Sequence, residues 1–282
     1  MAPPITHLWS RLSSVKWEDA WVERLRFAGG QNLVIKKFPA SRSIRLDVYT
    51  DASTGKKLTR AFGGSLRPFD AAGWQPPASK ISDPLRIGGV LRIYRDKALF
   101  SREGTKGKGM PLLIPSGMAF GTGDHATTAR CLQLLVQAAE PLRSSGKAWS
   151  LLDLGCGSGI LALAAEKLGA QKVLGCDFDA SCVRISKENA RLNALSRSRF
   201  LKADVLDWKA PGTYDIVAAN LYSTILTAAA PMILKSIKPG GTLILSGILA
   251  VEEKAILKTF ASLRPVKTLR RGKWAAVMLG KG

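Results

Sequence analysis

From residue 149 onward, short runs of apolar residues alternate with stretches whose apolar positions recur every three to four residues. The first pattern suits a strand buried on both faces and the second an amphipathic helix. The expected strands are Trp149 to Leu154, Lys172 to Phe178, Arg199 to Asp204, Tyr214 to Leu221 and Thr242 to Ile248. The expected helices between and after them are Ile160 to Leu168, Ala180 to Asn193, Ser223 to Ile237 and Val251 to Leu263. Alternation of this kind predicts a doubly wound α/β sheet. Two further apolar segments, Pro265 to Arg271 and Trp274 to Leu279, flank Gly272 with no room for a helix between them. They predict a hairpin, so the parallel sheet closes with an antiparallel pair. A dinucleotide dehydrogenase half continues with crossovers instead.

The first 110 residues follow another rhythm. Val15 to Phe27 reads as an amphipathic helix, because Trp17, Trp21 and Leu25 recur every four residues. Strands are expected at Asn32 to Phe38 and Ser43 to Tyr49, and a short helix at Lys56 to Phe62. Residues 1–67 therefore form a small α+β domain. Pro68, Gly73, Pro76, Pro77 and Pro84 break any regular pattern over 68–84, which marks a linker. The segment Leu85 to Phe100 is expected to supply strands that lead into a catalytic domain spanning 85–282, and a helix starts at about Ala129.

Composition narrows the class. With 282 residues, 46% hydrophobic and 22% charged, the chain can bury a sizeable core. No apolar run approaches the roughly 18 residues that cross a bilayer. The start Met1-Ala2-Pro3-Pro4 lacks a basic stretch followed by an apolar core, so a soluble protein of the cytoplasm is expected, and a monomer. Cys131, Cys156, Cys176 and Cys182 lack the paired short spacing of a zinc site and read as reduced and buried, with no metal. A net charge of +21 makes a polyanion such as RNA a plausible neighbour. Residues 1–111 carry 20 basic and 9 acidic side chains and residues 112–282 carry 22 and 12, so no dedicated basic arm exists.

The candidate chemistry begins at Asp153-Leu154-Gly155-Cys156-Gly157-Ser158-Gly159, where a strand runs through three glycines into a helix. Glycine lets the backbone turn sharply and approach a ligand. Such a loop, with Asp153, Gly155 and Gly157 as candidate contacts, fits either a pyrophosphate or the methionine portion of S-adenosylmethionine. Asp177 lies 22 residues after Gly155, where a carboxylate can accept from both hydroxyls of a ribose. Asp179 reads as the N-cap of the helix that starts at Ala180. Asp204, ending the third strand, is placed to meet an adenine amino group or to cap a turn. Asn220 follows an apolar run at the end of the fourth strand, as a strand-end cap or as a carbonyl acceptor aimed into the cleft. An amine attacking a sulfonium methyl must be uncharged, aligned and held by an acceptor that leaves its lone pair forward, which favours the acceptor reading.

One more segment, Ile114 to Thr128, is glycine-rich and contains Phe120, Gly121, His125, Thr127 and Thr128 just before the glycine-loop strand. The clustering suggests a lid over the cofactor. The stretch Ala119 to Thr128 (AFGTGDHATT), together with Asp153 to Leu161, Asp177 to Asp179, Ala219 to Tyr222 and Gly272 to Val277, resembles the bacterial methyltransferases that modify large-subunit ribosomal protein eleven. The resemblance covers roughly residues 110–282. It implies a Rossmann-like seven-stranded methyltransferase sheet with a terminal hairpin, and S-adenosyl-L-methionine as cofactor. It assigns Thr128, Gly155, Asp177 and Asn220 to cofactor contacts and turns Asn220 toward the incoming amine. Methyl transfer to lysine ε-amines and an N-terminal α-amine of a ribosomal protein is implied, with the N-terminal domain presenting the substrate. Asp124 and Ala126 stand where the family usually has threonine and proline.

Overall fold

The computed structural model describes residues 6–25, 33–38, 41–70, 83–104, 106–115 and 126–282. The chain divides into two compact units, whose described residues fall mainly in 6–70 and 83–282.

The first unit contains β1 (His7–Ser14), α1 (Glu18–Arg24), β2 (Leu33–Lys37), β3 (Ser43–Thr50), α2 (Ala52–Phe62) and β4 (Ser65–Pro68). Its antiparallel sheet runs β2-β3-β1-β4. Ile44, Leu46 and Val48 alternate along β3 and pack with Trp9, Trp21, Leu25 and Leu58 into one core. The helix expected from Val15 starts later, at Glu18, because Val15–Trp17 forms a 3-10 turn. Its expected end at Phe27 lies outside the described residues. Helix α2 begins four residues earlier than expected. Asp51 caps it, accepting from the amides of Ser53 at 2.8 Å and Thr54 at 3.0 Å.

The second unit opens with β5 (Leu85–Ile87), β6 (Leu91–Tyr94), α3 (Lys97–Glu103) and β7 (Met110–Leu113), whose strands form a three-stranded sheet. The strands expected through Phe100 stop at Tyr94. Asp96 accepts from the amide of Leu99 at 2.6 Å and starts a helix that contains Phe100.

Then follow α4 (Ala126–Ser144), β8 (Ser150–Leu154), α5 (Ile160–Lys167), β9 (Lys172–Asp177), α6 (Ala180–Leu192), β10 (Ser198–Lys202) and β11 (Tyr214–Asn220). The chain ends with α7 (Ser223–Lys235), β12 (Ile237–Leu249), α8 (Glu253–Thr259), β13 (Arg264–Arg271) and β14 (Trp274–Gly280). The seven-stranded sheet is ordered β10-β9-β8-β11-β12-β14-β13. Its first five strands are parallel, β14 runs antiparallel to them, and the edge strand β13 pairs antiparallel with β14. The doubly wound sheet with a terminal hairpin is as the apolar rhythm predicts. Ala218 faces one apolar layer while Val217 and Ala219 face the other, so helices cover both sides.

Three details differ from the sequence pattern. Strand β10 stops at Lys202, two residues short of Asp204. The helix expected from Val251 splits into a 3-10 turn, Ala250–Glu252, and the short α8. No disulfide joins the four cysteines, but Cys182 is partly exposed, on the first turn of α6. Burial pushes the thiols of Cys131 and Cys156 well up, and that of Cys176 to about 12.

Glu166 shows how a helix and a loop are locked together. Its buried carboxylate, near the end of α5, accepts from the amides of Ser196, Arg197 and Ser198 and from the Ser198 hydroxyl. Burial opposes ionisation there, and these donors outweigh it, so its pKa is lowered. The loop leading into β10 is thereby fixed.

Candidate active site

Strand order reverses at β8: the chain moves outward through β9 and β10, then returns to the other side of β8 as β11 and β12. Ligands of open α/β sheets bind at such a switch, beyond the carboxyl ends of the strands. The glycine loop leaves β8 at that point. The amides of Gly155 and Cys156 both donate to the Cys176 carbonyl at 2.9 Å, which folds the loop back over β9. Gly155 has φ of +69°, and a Cβ there would lie 2.4 Å from the Leu221 side chain. Glycine therefore allows the segment after β11 to pack directly on the loop. Helix α6 supports the loop from behind: Ser186 donates to the Gly157 carbonyl at 2.9 Å and Asn189 to that of Ser158 at 2.8 Å.

Two buried carboxylates flank this turn. Asp177, the last residue of β9, accepts from the Gly157 amide at 2.9 Å and from the Asp179 amide at 3.0 Å. Burial raises its pKa, opposed by these amides. Each oxygen retains a lone pair for a further donor. Asp153 accepts from the Ala162 amide at 3.1 Å. Burial, with the neighbouring Asp177 charge adding to it, pushes its pKa up to about 7. Asp179 caps α6, accepting from the Ser181 amide at 2.8 Å. Asp204 is exposed beyond β10 and accepts from the Leu206 amide at 3.0 Å, so in this structure it caps a turn.

Asn220 ends β11, and its Nδ2 donates to Thr128 Oγ1, buried on α4, at 3.4 Å. Its Oδ1 is buried and finds no hydrogen-bond partner among the described residues. An orphaned buried acceptor is costly unless something else supplies a donor. Residues 116–125 of the expected lid, Phe120, Gly121 and His125 among them, lie outside the described residues.

The pattern of apolar residues did not reveal what holds Asn220. Strand β12 slips register between Leu245 and Ile248, where it pairs with β14. At this bulge Gly247 has φ of +80°, and a Cβ would come within 2.4 Å of the Leu221 carbonyl. The Leu221 amide donates to the Ser246 carbonyl at 3.0 Å. A visible signal existed in Ser246-Gly247, a break inside the apolar run Leu243 to Leu249, since glycine within a strand often marks a bulge or a close approach.

A strand order that reverses beside a glycine loop and then closes on a buried antiparallel strand separates this fold from the dehydrogenases. It defines a class I, S-adenosylmethionine-dependent methyltransferase. The chain belongs to the family described as ribosomal protein L11 methyltransferase (PrmA), whose sequence profile matches residues 11–281. The match extends through the first unit, well before residue 110, where the motifs begin. A ribosomal protein L11 methyltransferase of Geobacter metallireducens is 37% identical over 221 residues, covering 77% of this chain and 68% of its own. One of Pelobacter propionicus is 40% identical over 238 residues, covering 83% and 74%. The crystal structure of a ribosomal protein L11 methylase from Lactobacillus delbrueckii subsp. bulgaricus is 28% identical with a TM-score of 0.60, covering 71% of this chain and 100% of that one. The chain is a protein methyltransferase.

Proposed function

We propose that the chain methylates lysine ε-amines, an N-terminal α-amine or both on ribosomal protein L11, with Asn220 holding the attacking nitrogen. The observation that carries this reading is the buried, unpartnered Oδ1 of Asn220 at the end of β11, with its amide nitrogen on Thr128. An amide oxygen accepts an N–H from a neutral amine without removing its proton, so the nitrogen lone pair stays free to attack. No strong base is needed, because a lysine amine, pKa about 10.4 in water, loses its proton to solvent beforehand. When bound, S-adenosylmethionine supplies a methyl on a positively charged sulfur; the new N–C bond forms as the C–S pair returns to sulfur, giving S-adenosylhomocysteine. The methylated nitrogen then releases its extra proton to solvent.

In this reading Asp177 accepts from the ribose hydroxyls, and Gly155 and Gly157 line the methionine portion beside Asp153. Phe120, Gly121 and His125 contact the cofactor, and Thr128 fixes the acceptor side. Asp204, exposed beyond β10, accepts from the adenine amino group. The +21 charge supports work beside ribosomal RNA. Among the described residues no helix is long and apolar enough to cross a membrane. We read the protein as a cytoplasmic monomer.

The test is intact-mass analysis of purified ribosomal protein L11 before and after incubation with enzyme and cofactor. Mass should rise in multiples of one methyl. Asn220→Ala should keep its affinity for S-adenosylhomocysteine within threefold and lose turnover by about 100-fold, the loss expected for removing one aligned hydrogen-bonding group. Methylation of other proteins with L11 unchanged would redirect the substrate assignment, and full turnover by Asn220→Ala would remove Asn220 from the mechanism.

A further inference from the structure

Four of the six large apolar side chains exposed among the described residues of the second unit lie at the carboxyl edge of its parallel strands, the other two being Leu192 at the end of α6 and Val266 on β13. Phe178, Leu206, Tyr222 and Val251 each follow the carboxyl end of a parallel strand: β9, β10, β11 and β12 in turn. Sheet order separates them into two pairs. Phe178 and Leu206 stand on the Asp177 side of β8, whereas Tyr222 and Val251 stand on the Asn220 side. Single exposed apolar residues are ordinary. The second pair is not merely two of these, because the backbone yokes its members. The Ser223 hydroxyl donates to Glu252 Oε2 at 2.6 Å, and the Leu249 amide approaches the same oxygen at 3.4 Å. Tyr222 directly precedes Ser223, and Val251 directly precedes Glu252. One carboxylate thus holds together the start of α7 and the turn after β12. Tyr222, 39% exposed, and Val251, 90% exposed, are carried on the two sides of that link.

We propose that Tyr222 and Val251 form an apolar rim that receives the aliphatic stem of the acceptor lysine and the adjoining peptide, and that Glu252 positions the rim. The inference rests on the methyl-acceptor reading above. Its ground is continuity: only Leu221 separates Tyr222 from Asn220, whose oxygen awaits an amine. A lysine ε-amine arrives on four methylenes, which gain from an apolar wall while the nitrogen reaches the polar acceptor. An aromatic ring also attracts the ammonium form as it approaches.

The experiment uses the full chain and ribosomal protein L11 as substrate. Tyr222→Ala and Val251→Ser should each raise KM for L11 by about tenfold, the size of a modest interface contact. Their kcat should stay within threefold, and the dissociation constant of S-adenosylhomocysteine within twofold. Tyr222→Phe should keep the unaltered KM. Glu252→Ala should raise KM as the rim variants do, and Glu252→Gln, which can still accept from Ser223, should restore it. Val251 is too exposed for its replacement to unfold the protein. KM unchanged in both rim variants, with L11 still methylated, would overturn the rim and leave the methyl-acceptor reading standing. Weakened cofactor affinity with unchanged KM would assign the rim to the cofactor instead, and would equally overturn it. Failure of the unaltered chain to methylate L11 would sink the underlying reading and the rim with it.

Discussion

Asp153 is a carboxylic acid with no cation beside it among its hydrogen-bond partners, held by one backbone amide at 3.1 Å. Burial lifts its pKa from 3.8 to about 7. Between those values the folded protein holds a proton that the unfolded chain has released. Stability from this group is therefore full below about pH 4 and declines as pH rises through about 7, at up to about 1.4 kcal/mol per pH unit. Asp153→Asn keeps an oxygen for the Ala162 amide and removes the titration. Denaturant unfolding at a series of pH values from 4 to 8 should show a smaller fall in stability for Asp153→Asn than for the unaltered chain. Parallel curves would show that Asp153 ionises normally in the fold. The positions of Asp177 and Asn220 at the ends of β9 and β11, where ligands of such sheets bind, were legible in the sequence, whereas Asp153, one residue before the end of β8, was legible only from the glycine loop that follows it. Asp204 illustrates the limit. Lys202-Ala203-Asp204 continues the strand pattern, yet pairing with β9 ends at Lys202, leaving the carboxylate to cap its own turn.

At the scale of elements, the strands of the large sheet could be placed because burial on both faces demands continuous apolar runs. Strand β1 (HLWSRLSS) could not, because Ser10, Ser13 and Arg11 break its alternation and its partners β3 and β4 lie far along the chain. The Ser246-Gly247 break signals the bulge in β12, but its consequence was hidden for a similar reason: it falls on Leu221, 26 residues earlier than Gly247. Gly247→Ala places a methyl against the Leu221 carbonyl in a backbone conformation that alanine resists, and either the strand or the Asn220 segment must move. We expect a stability loss of about 2 kcal/mol and at least a tenfold fall in kcat. Thermal unfolding and initial-rate measurements on L11 check both. Normal kcat in a destabilised variant would show that the bulge shapes the sheet without positioning Asn220.

For the whole molecule, the decisive fact is that each unit carries its own core. Trp9, Trp21, Leu25 and the β3 residues form one in the first unit, and two apolar layers cover the large sheet of the second. A unit with a self-contained core can fold alone. The glycine loop, Asp153, Asp177, Thr128 and Asn220 all belong to residues 126–282, so cofactor binding should not require the first unit. Recognition of a folded protein substrate needs more surface than one side-chain rim, and we propose that residues 1–67 supply it. A fragment comprising residues 83–282 should therefore fold, bind S-adenosylhomocysteine within threefold of the full chain, and methylate L11 at least about 100-fold less efficiently, as expected when about 3 kcal/mol of substrate binding is removed. Calorimetric titration and intact-mass time courses measure the two quantities independently. A fragment that binds the cofactor and still methylates L11 at the full rate would place substrate recognition entirely within the catalytic unit, and the first unit would then need another role.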